Sequence, residues 1–162
     1  MARQEIERPV QQSLLDRLID LDPKNSQELP MTRAQSVRGL KNSLRRELEW
    51  LLNTRSIPEP APRGLTEVRR SLYHYGLSDL SSMSADDSED RLKLLRMIEQ
   101  SIEMFEPRLM NVRVSESHDK VAGSRQVHFV VQALMRMDPA PEQVYFDTVL
   151  DLAGGGYEIK GE

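Results

Sequence analysis

Apolar residues recur every three or four positions through the first two-thirds of the chain and alternate in the last third, so helices are predicted first and strands afterwards. Pro9 to Leu21 gathers Leu14, Leu15, Leu18 and Leu21 on one side, the pattern of a short amphipathic helix. "DPKNSQELP" (Asp22 to Pro30) is polar and proline-bounded, and reads as a linker. That division predicts an N-terminal docking helix and linker over 1–30 and a main domain over 31–162. Arg33 to Asn53 carries the longest helical pattern, with Val37, Leu40, Leu44, Leu48, Leu51 and Leu52 as its apolar stripe and Trp50 at its edge. Three prolines in "RSIPEPAPRG" (Arg55 to Gly64) exclude regular helix there. A shorter helix is predicted over Thr66 to Tyr73, ended by Gly76. "SSMSADDSED" (Ser81 to Asp90) reads as a loop turning into a helix start, with Ser84, Asp86 and Asp87 as candidate caps. The helix that follows is predicted to run to about Met104, with Leu92, Leu95, Ile98, Ile102 and Phe105 inward.

After Pro107 the period becomes two. Leu109 to Ser115 is a predicted strand, "SHDKVAGS" a loop, and Val127 to Met137 a second strand with Val127, Phe129, Val131, Ala133 and Met135 on one face. "DPAP" (Asp138 to Pro141) turns the chain into a third strand, Gln143 to Leu152, in which Val144, Phe146, Thr148, Leu150 and Leu152 alternate. Gly154 to Gly156 can close a further hairpin onto "YEIK". The fold class predicted is α+β: N-terminal helices followed by a small antiparallel sheet of three or four strands.

Composition narrows the function. The 162 residues suit one domain of ordinary size, and 38% hydrophobic with 30% charged residues is the balance of a soluble globular protein. A net charge of -4 argues against a surface given over to nucleic acid. Arg33 to Arg70 is basic in balance and Asp79 to Glu106 acidic; both read first as solvated faces or as internal partners. There is no cysteine, hence no disulfide and no thiolate chemistry. No apolar run of signal-peptide or membrane-span length is present, so the protein is expected in the cytoplasm with no direct membrane insertion.

Motifs for catalysis are missing. His74, His118 and His128 are the only histidines and none lies three or four residues from another, so a metal site has no ligand spacing to stand on. "AGGGY" lacks the following helix that phosphate binding needs. No cofactor is expected. A glycosidase needs only two carboxylates across a cleft, one of them protonated in an apolar pocket, and Glu106 beside Phe105 is the candidate. Arg108, two residues on, favours the ionised carboxylate, the wrong form for an acid catalyst. "RSLYHYG" mixes Arg70, Tyr73, His74 and Tyr75, a combination able to stack bases, but the stretch is short and fits core and cap equally. No nucleic acid partner is expected.

Glu106-Pro107-Arg108 stands where helix gives way to strand. Proline ends the helix by lacking an amide donor and by biasing Glu106 away from helical geometry. The two charges then either pair with each other or are held in fixed directions for a partner, where a planar guanidinium is most useful.

The segment "IEQSIEMFEPRLMNVRV" resembles the stretch around the Glu-Pro-Arg motif of the phage baseplate-wedge family, once labelled lysozyme-like. "SLLDRLID", "SLRRELEWLLNTR", "SLYHYGLSDL" and "VHFVVQALMRMDPAPEQVYFDTVLDL" resemble the bacterial branch of that family, TssE of the type VI secretion baseplate, in the same order from about residue 13 to 152. Ser78 stands where the family usually has proline and Glu47 where aspartate is common; neither is expected to touch the Glu-Pro-Arg joint. The resemblance implies a structural part and no enzyme. It implies partner-binding roles for Glu106, Pro107 and Arg108, for Leu14, Leu15, Arg17 and Leu18, for Asn53 and Arg55, and for Tyr75 and Gly76. The implied partners are the wedge proteins TssF and TssG, and the sheath proteins TssB and TssC by strand addition to an open sheet edge. The implied location is a cytoplasmic baseplate docked at the inner membrane. The alternative function is a peptidoglycan-cleaving, lysozyme-like hydrolase.

Overall fold

A computed structural model describes residues 9–19, 23–24, 31–80, 83–84, 87–117, 126–151 and 156–160. The chain divides into two compact units, Met1–Arg45 and Arg46–Glu162, with the boundary inside its longest helix rather than at residue 30.

In the first unit, helix α1 is Leu14–Leu18, one turn and a little more, and Ile19 is already extended. It is shorter than the leucine pattern predicts, and Leu21 lies outside the described residues. Helix nucleation is costly, and a short helix persists only where packing supports it. Here Leu14 and Leu18 are 70% and 73% exposed, so burial supplies no such support. Polar bonds hold the turn instead. Ser13 caps it by accepting from the Asp16 amide at 3.2 Å, and the Ser43 hydroxyl donates to the Asp16 carboxylate at 2.5 Å. The Val10 amide donates to the hydroxyl of Ser36, a buried residue. Of the predicted linker only Pro23 and Lys24 are described, and they form a turn. Helix α2, Arg33–Asn53, opens with a reciprocal cap: Gln35 donates its amide to the Thr32 hydroxyl, and the Thr32 amide donates to the Gln35 side chain.

In the second unit, Leu48, Leu51 and Leu52 of α2 are buried as their spacing predicts. The predicted Thr66–Tyr73 helix is two tight 3₁₀ turns, Thr66–Arg70 and Leu72–His74. Such turns suit a stretch too short for a stable α-helix. Helix α3 is Ser88–Phe105, with Asp87 as its N-cap. Asp86 lies outside the described residues, and Ser84, instead of capping, donates its amide to Asp90 at 3.0 Å. Leu92 faces water and Leu94 is buried beside Leu95, Ile98 and Ile102.

Four strands follow: β1 Leu109–Glu116, β2 Gln126–Met135, β3 Glu142–Asp151 and β4 Gly156–Lys160. They form one antiparallel sheet in the order β1-β2-β3-β4. Helices followed by a four-stranded antiparallel sheet make this an α+β protein, as the change of period predicts. Each strand alternates, and Phe129, Val131, Met135, Val144, Phe146, Leu150, Tyr157 and Ile159 are buried. Val149 is buried too, on the opposite phase from Leu150. β1 carries a bulge between Met110 and Arg113, where Asn111 adopts a φ of 54°, a left-handed conformation that asparagine tolerates. Helix α3 packs against β1. His118, Leu152 and the Gly154–Gly155 part of the last turn lie outside the described residues.

Candidate functional site

Pro107 does more than end α3. The Leu109 amide donates to the Glu106 carbonyl at 3.1 Å, closing a turn with proline at its second position, where its fixed φ is favourable. That turn folds Arg108 back onto Glu106. Arg108 Nε donates to Glu106 Oε1 at 2.6 Å and Nη2 to Oε2 at 2.5 Å, a bidentate pair. Nη2 also donates to Glu47 on α2. Glu106 is 6% exposed, while the Arg108 and Glu47 side chains each keep a quarter of their surface in solvent. The Arg108 amide adds a longer bond to Glu106 Oε1, and the Arg136 amide donates to the Arg108 carbonyl at 2.8 Å, so the turn is also fastened to the sheet.

Glu47 therefore touches the joint directly, and the expectation that this position stands clear of it is corrected. The signal was available in the spacing. Glu47 lies three residues after Leu44 and four before Leu51, beside the buried stripe of α2, and a carboxylate there requires a partner.

The electrostatics follow from this geometry. Hydrogen bonds to Glu106, and secondarily the two carboxylate charges, raise the Arg108 pKa against the opposing effect of burial. Burial, then the charges of Glu47 and Glu106, raise the pKa of the Tyr75 hydroxyl, so Tyr75 stays neutral. Tyr75 also meets Phe105 edge-on, at 5.3 Å between ring centres.

Two further predicted pairs come together beside the joint. Arg55 bridges Leu77 in parallel fashion: the Leu77 amide donates to the Thr54 carbonyl and the Ser56 amide to the Leu77 carbonyl, both at 2.9 Å. Gly76 sits against this crossing with a φ of +108°, and a Cβ there would run into the Thr54 carbonyl. Asn53 reaches β4, its side-chain amide donating to the Tyr157 carbonyl and accepting from the Tyr157 amide, both at 2.9 Å. Beyond Gly76, a pocket of about 430 Å³ is lined by His74, Met97, Ser101, Met104 and Phe105 among others. Leu14, Leu15, Arg17 and Leu18 belong to the first unit and are not part of this cluster.

A family profile described as baseplate wedge protein gp25 matches residues 38–140. The match covers most of the chain and contains α2 from Arg38 onward, the Tyr75-Gly76 crossing, α3, the whole Glu-Pro-Arg turn and the first two strands. The chain belongs to the gp25 baseplate wedge family. Comparison with individual curated proteins gives no match. Membership makes this a structural component of a phage-tail-like baseplate, a setting that implies contact with other baseplate proteins. Among the described residues no helix is long and apolar enough to cross a membrane, and no group of histidine and carboxylate side chains is arranged to hold a metal ion.

Proposed function

We propose that this chain is the wedge subunit of a type VI secretion baseplate. In that role it binds the TssF and TssG core bundle and nucleates the TssB and TssC sheath by strand addition, in the cytoplasm at the inner membrane. The observation that carries the proposal is the baseplate-wedge match over residues 38–140. Five stretches that follow the TssE pattern in order, from Ser13 to Leu152, favour the type VI branch within the family. The work is binding, without catalysis. A glycosidase would need a carboxyl group free to give up a proton to its substrate. The one candidate acid, Glu106, is buried and held by two guanidinium bonds.

The Glu-Pro-Arg turn then acts on partners by shape. The bidentate bond and the Glu47 contact fix the angle between α3 and β1, and the surface around Pro107, Arg55 and Tyr75 is what a partner meets. Tagged wild type recovered from its native host should bring down TssF and TssG. Arg55→Glu, at an exposed position, should lower that recovery in protein that a thermal melt shows to be folded. Recovery of wild type with no baseplate protein overturns the proposal.

A further inference from the structure

The outer face of the sheet departs from the pattern of a solvated one. An antiparallel sheet with one buried face carries polar side chains at the alternate positions. The inner phase here is Phe129, Val131, Met135, Val144, Phe146 and Leu150, all buried. On the opposite phase stand Met110 of β1, Val130 and Leu134 of β2, and Tyr145 and Val149 of β3. Tyr145 is 43% exposed, and Met110, Val130 and Leu134 are half-buried. Valine and tyrosine suit a strand by propensity alone, but leucine and methionine have no such reason to stand there.

The register joins these residues into one stripe. Met110 lies opposite Leu134. Tyr145 lies opposite Gln132, diagonal to both Leu134 and Val130, and Val149 lies opposite His128, diagonal to Val130. From Leu134 to His128 the stripe runs about 20 Å along β2, at roughly 3.3 Å per residue. A helix of about thirteen residues has that length. Apolar side chains at i, i+3, i+4 and i+7 of such a helix cover a stripe of this width.

The two flanks of the stripe differ in charge. On the β1 side, Arg113 is tied down: its Nη1 donates to Glu99 of α3 at 2.9 Å, and Glu99 also accepts from the Val114 amide at 3.1 Å. Toward β4, Asp147 lies opposite Val130 and Glu158 opposite Val149, and both acids are exposed. Asp151 continues the same phase beyond Val149, and Lys160 is the one cation whose register position falls among them. A second copy of the chain is a poor occupant, because an isologous pair sets the same patch, and these carboxylates, against themselves. A helix with lysine or arginine beside its apolar stripe matches both the stripe and its acidic flank.

We propose that this face docks an amphipathic helix of a partner protein, laid along β2 and β3 with its apolar stripe on Leu134, Tyr145 and Val130 and its basic flank toward β4. The proposal stands on the sheet face alone and needs neither strand addition nor the baseplate reading.

The test uses the full chain and a hydrocarbon-stapled helical peptide of about fourteen residues, the length of the stripe. One peptide carries leucine at the stripe positions and lysine on the flanks; its comparison carries glutamate on the flanks. Nuclear Overhauser contacts are expected from the leucine methyls to the Tyr145 ring. Tyr145→Ala, at an exposed position, should weaken binding of the lysine peptide roughly tenfold, as loss of an aromatic anchor does. Asp147→Lys should weaken it by up to about fivefold, the scale of one exposed ion pair. The preference for lysine over glutamate flanks should vanish in the double variant Asp147→Lys, Glu158→Lys. Contacts to α1 or α3 in place of Tyr145, equal binding of the two peptides to wild type, binding untouched by Tyr145→Ala, or no binding of the lysine peptide at millimolar concentration overturns the proposal. In the native host, Tyr145→p-benzoylphenylalanine should cross-link to a segment of another protein with apolar residues every three or four positions and a net positive charge. Cross-linking to a second copy, to an acidic or extended segment, or no more strongly than from Leu72, an exposed position outside the sheet, also overturns it. Whether the captured protein belongs to a baseplate decides the proposed function and leaves the docking face standing.

Discussion

At the scale of single residues, the charges at the Glu-Pro-Arg joint brace the interior. Removing Arg108 leaves the Glu106 carboxylate buried without its counter-charge, whereas removing Glu47 leaves Arg108 paired and partly solvated. Arg108→Ala should therefore cost about 3 kcal/mol in denaturant unfolding, and Glu47→Ala about 1 kcal/mol. Equal costs would mean that Glu47 carries as much of the brace as Glu106. The pairing was half legible: the sequence presents both charges and the proline between them, but whether they meet each other or a partner depends on how the turn closes. Gly76 was legible as an ending and illegible as a crossing, because its need for φ > 0 arises from Thr54, far away in the chain. Gly76→Ala should cost roughly 3 kcal/mol through strain and collision with that carbonyl. Tyr157 is a different case. Its hydroxyl is buried with no hydrogen-bond partner among the described residues, and burial pushes its pKa well above the ordinary tyrosine value. A raised folded-state pKa contributes stability that is complete below about pH 10, where the unfolded tyrosine also keeps its proton, and is lost as pH rises above it. Tyr157→Phe removes an unsatisfied group, so it should be neutral or stabilising at pH 7 and should flatten the fall in melting temperature above pH 10. A large loss of stability at pH 7 would mean that the hydroxyl is satisfied in solution.

At the scale of elements, periodicity performed well where burial repeats along one element and poorly where neighbours decide. The three longest strands were legible within a residue or two, because alternation is forced by a sheet with one buried face. α1 was overestimated because four leucines on one side look the same whether they face a core or face outward. In α3 the inward face was misread at one end. Leu92 lies six residues before Ile98, about 120° round the helix, while Leu94 and Leu95 straddle the buried line. Leu94→Ala should then cost about 2–4 kcal/mol, and Leu92→Ser should stay within ~0.5 kcal/mol of wild type. The reverse order would rotate the helix by a third of a turn and place Glu99 away from β1. The bulge at Asn111, the bonds between Asn53 and Tyr157, and the bond that Glu99 of α3 accepts from the Val114 amide had no signature in the sequence. Each depends on a helix and a strand that are distant in the chain, and an isolated asparagine or glutamate on a helix reads as a solvated residue.

At the scale of the whole molecule, a binding part differs from an enzyme in where it leaves apolar surface. An enzyme concentrates it in a concave pocket; here three exposed leucines stand on α1, whose polar side is hydrogen-bonded. Asp16 accepts from Ser43, itself buried, while Leu14, Leu15 and Leu18 remain in solvent. Leu14 and Leu18 gain little from burial in the chain itself, and we propose that a partner accounts for their exposure. Single exposed leucines need no such account, but three within five residues on a helix tethered through its polar side form a patch that fits a groove. The double variant Leu14→Ser, Leu18→Ser should change unfolding free energy by less than ~0.5 kcal/mol and should lower recovery of the baseplate partners at least tenfold, as loss of two anchor side chains from a helix-in-groove contact would. Unchanged recovery would leave α1 outside the interface and turn attention to the second unit alone. A loss of stability would show that the leucines pack on their own chain in solution, and α1 would then be part of the fold.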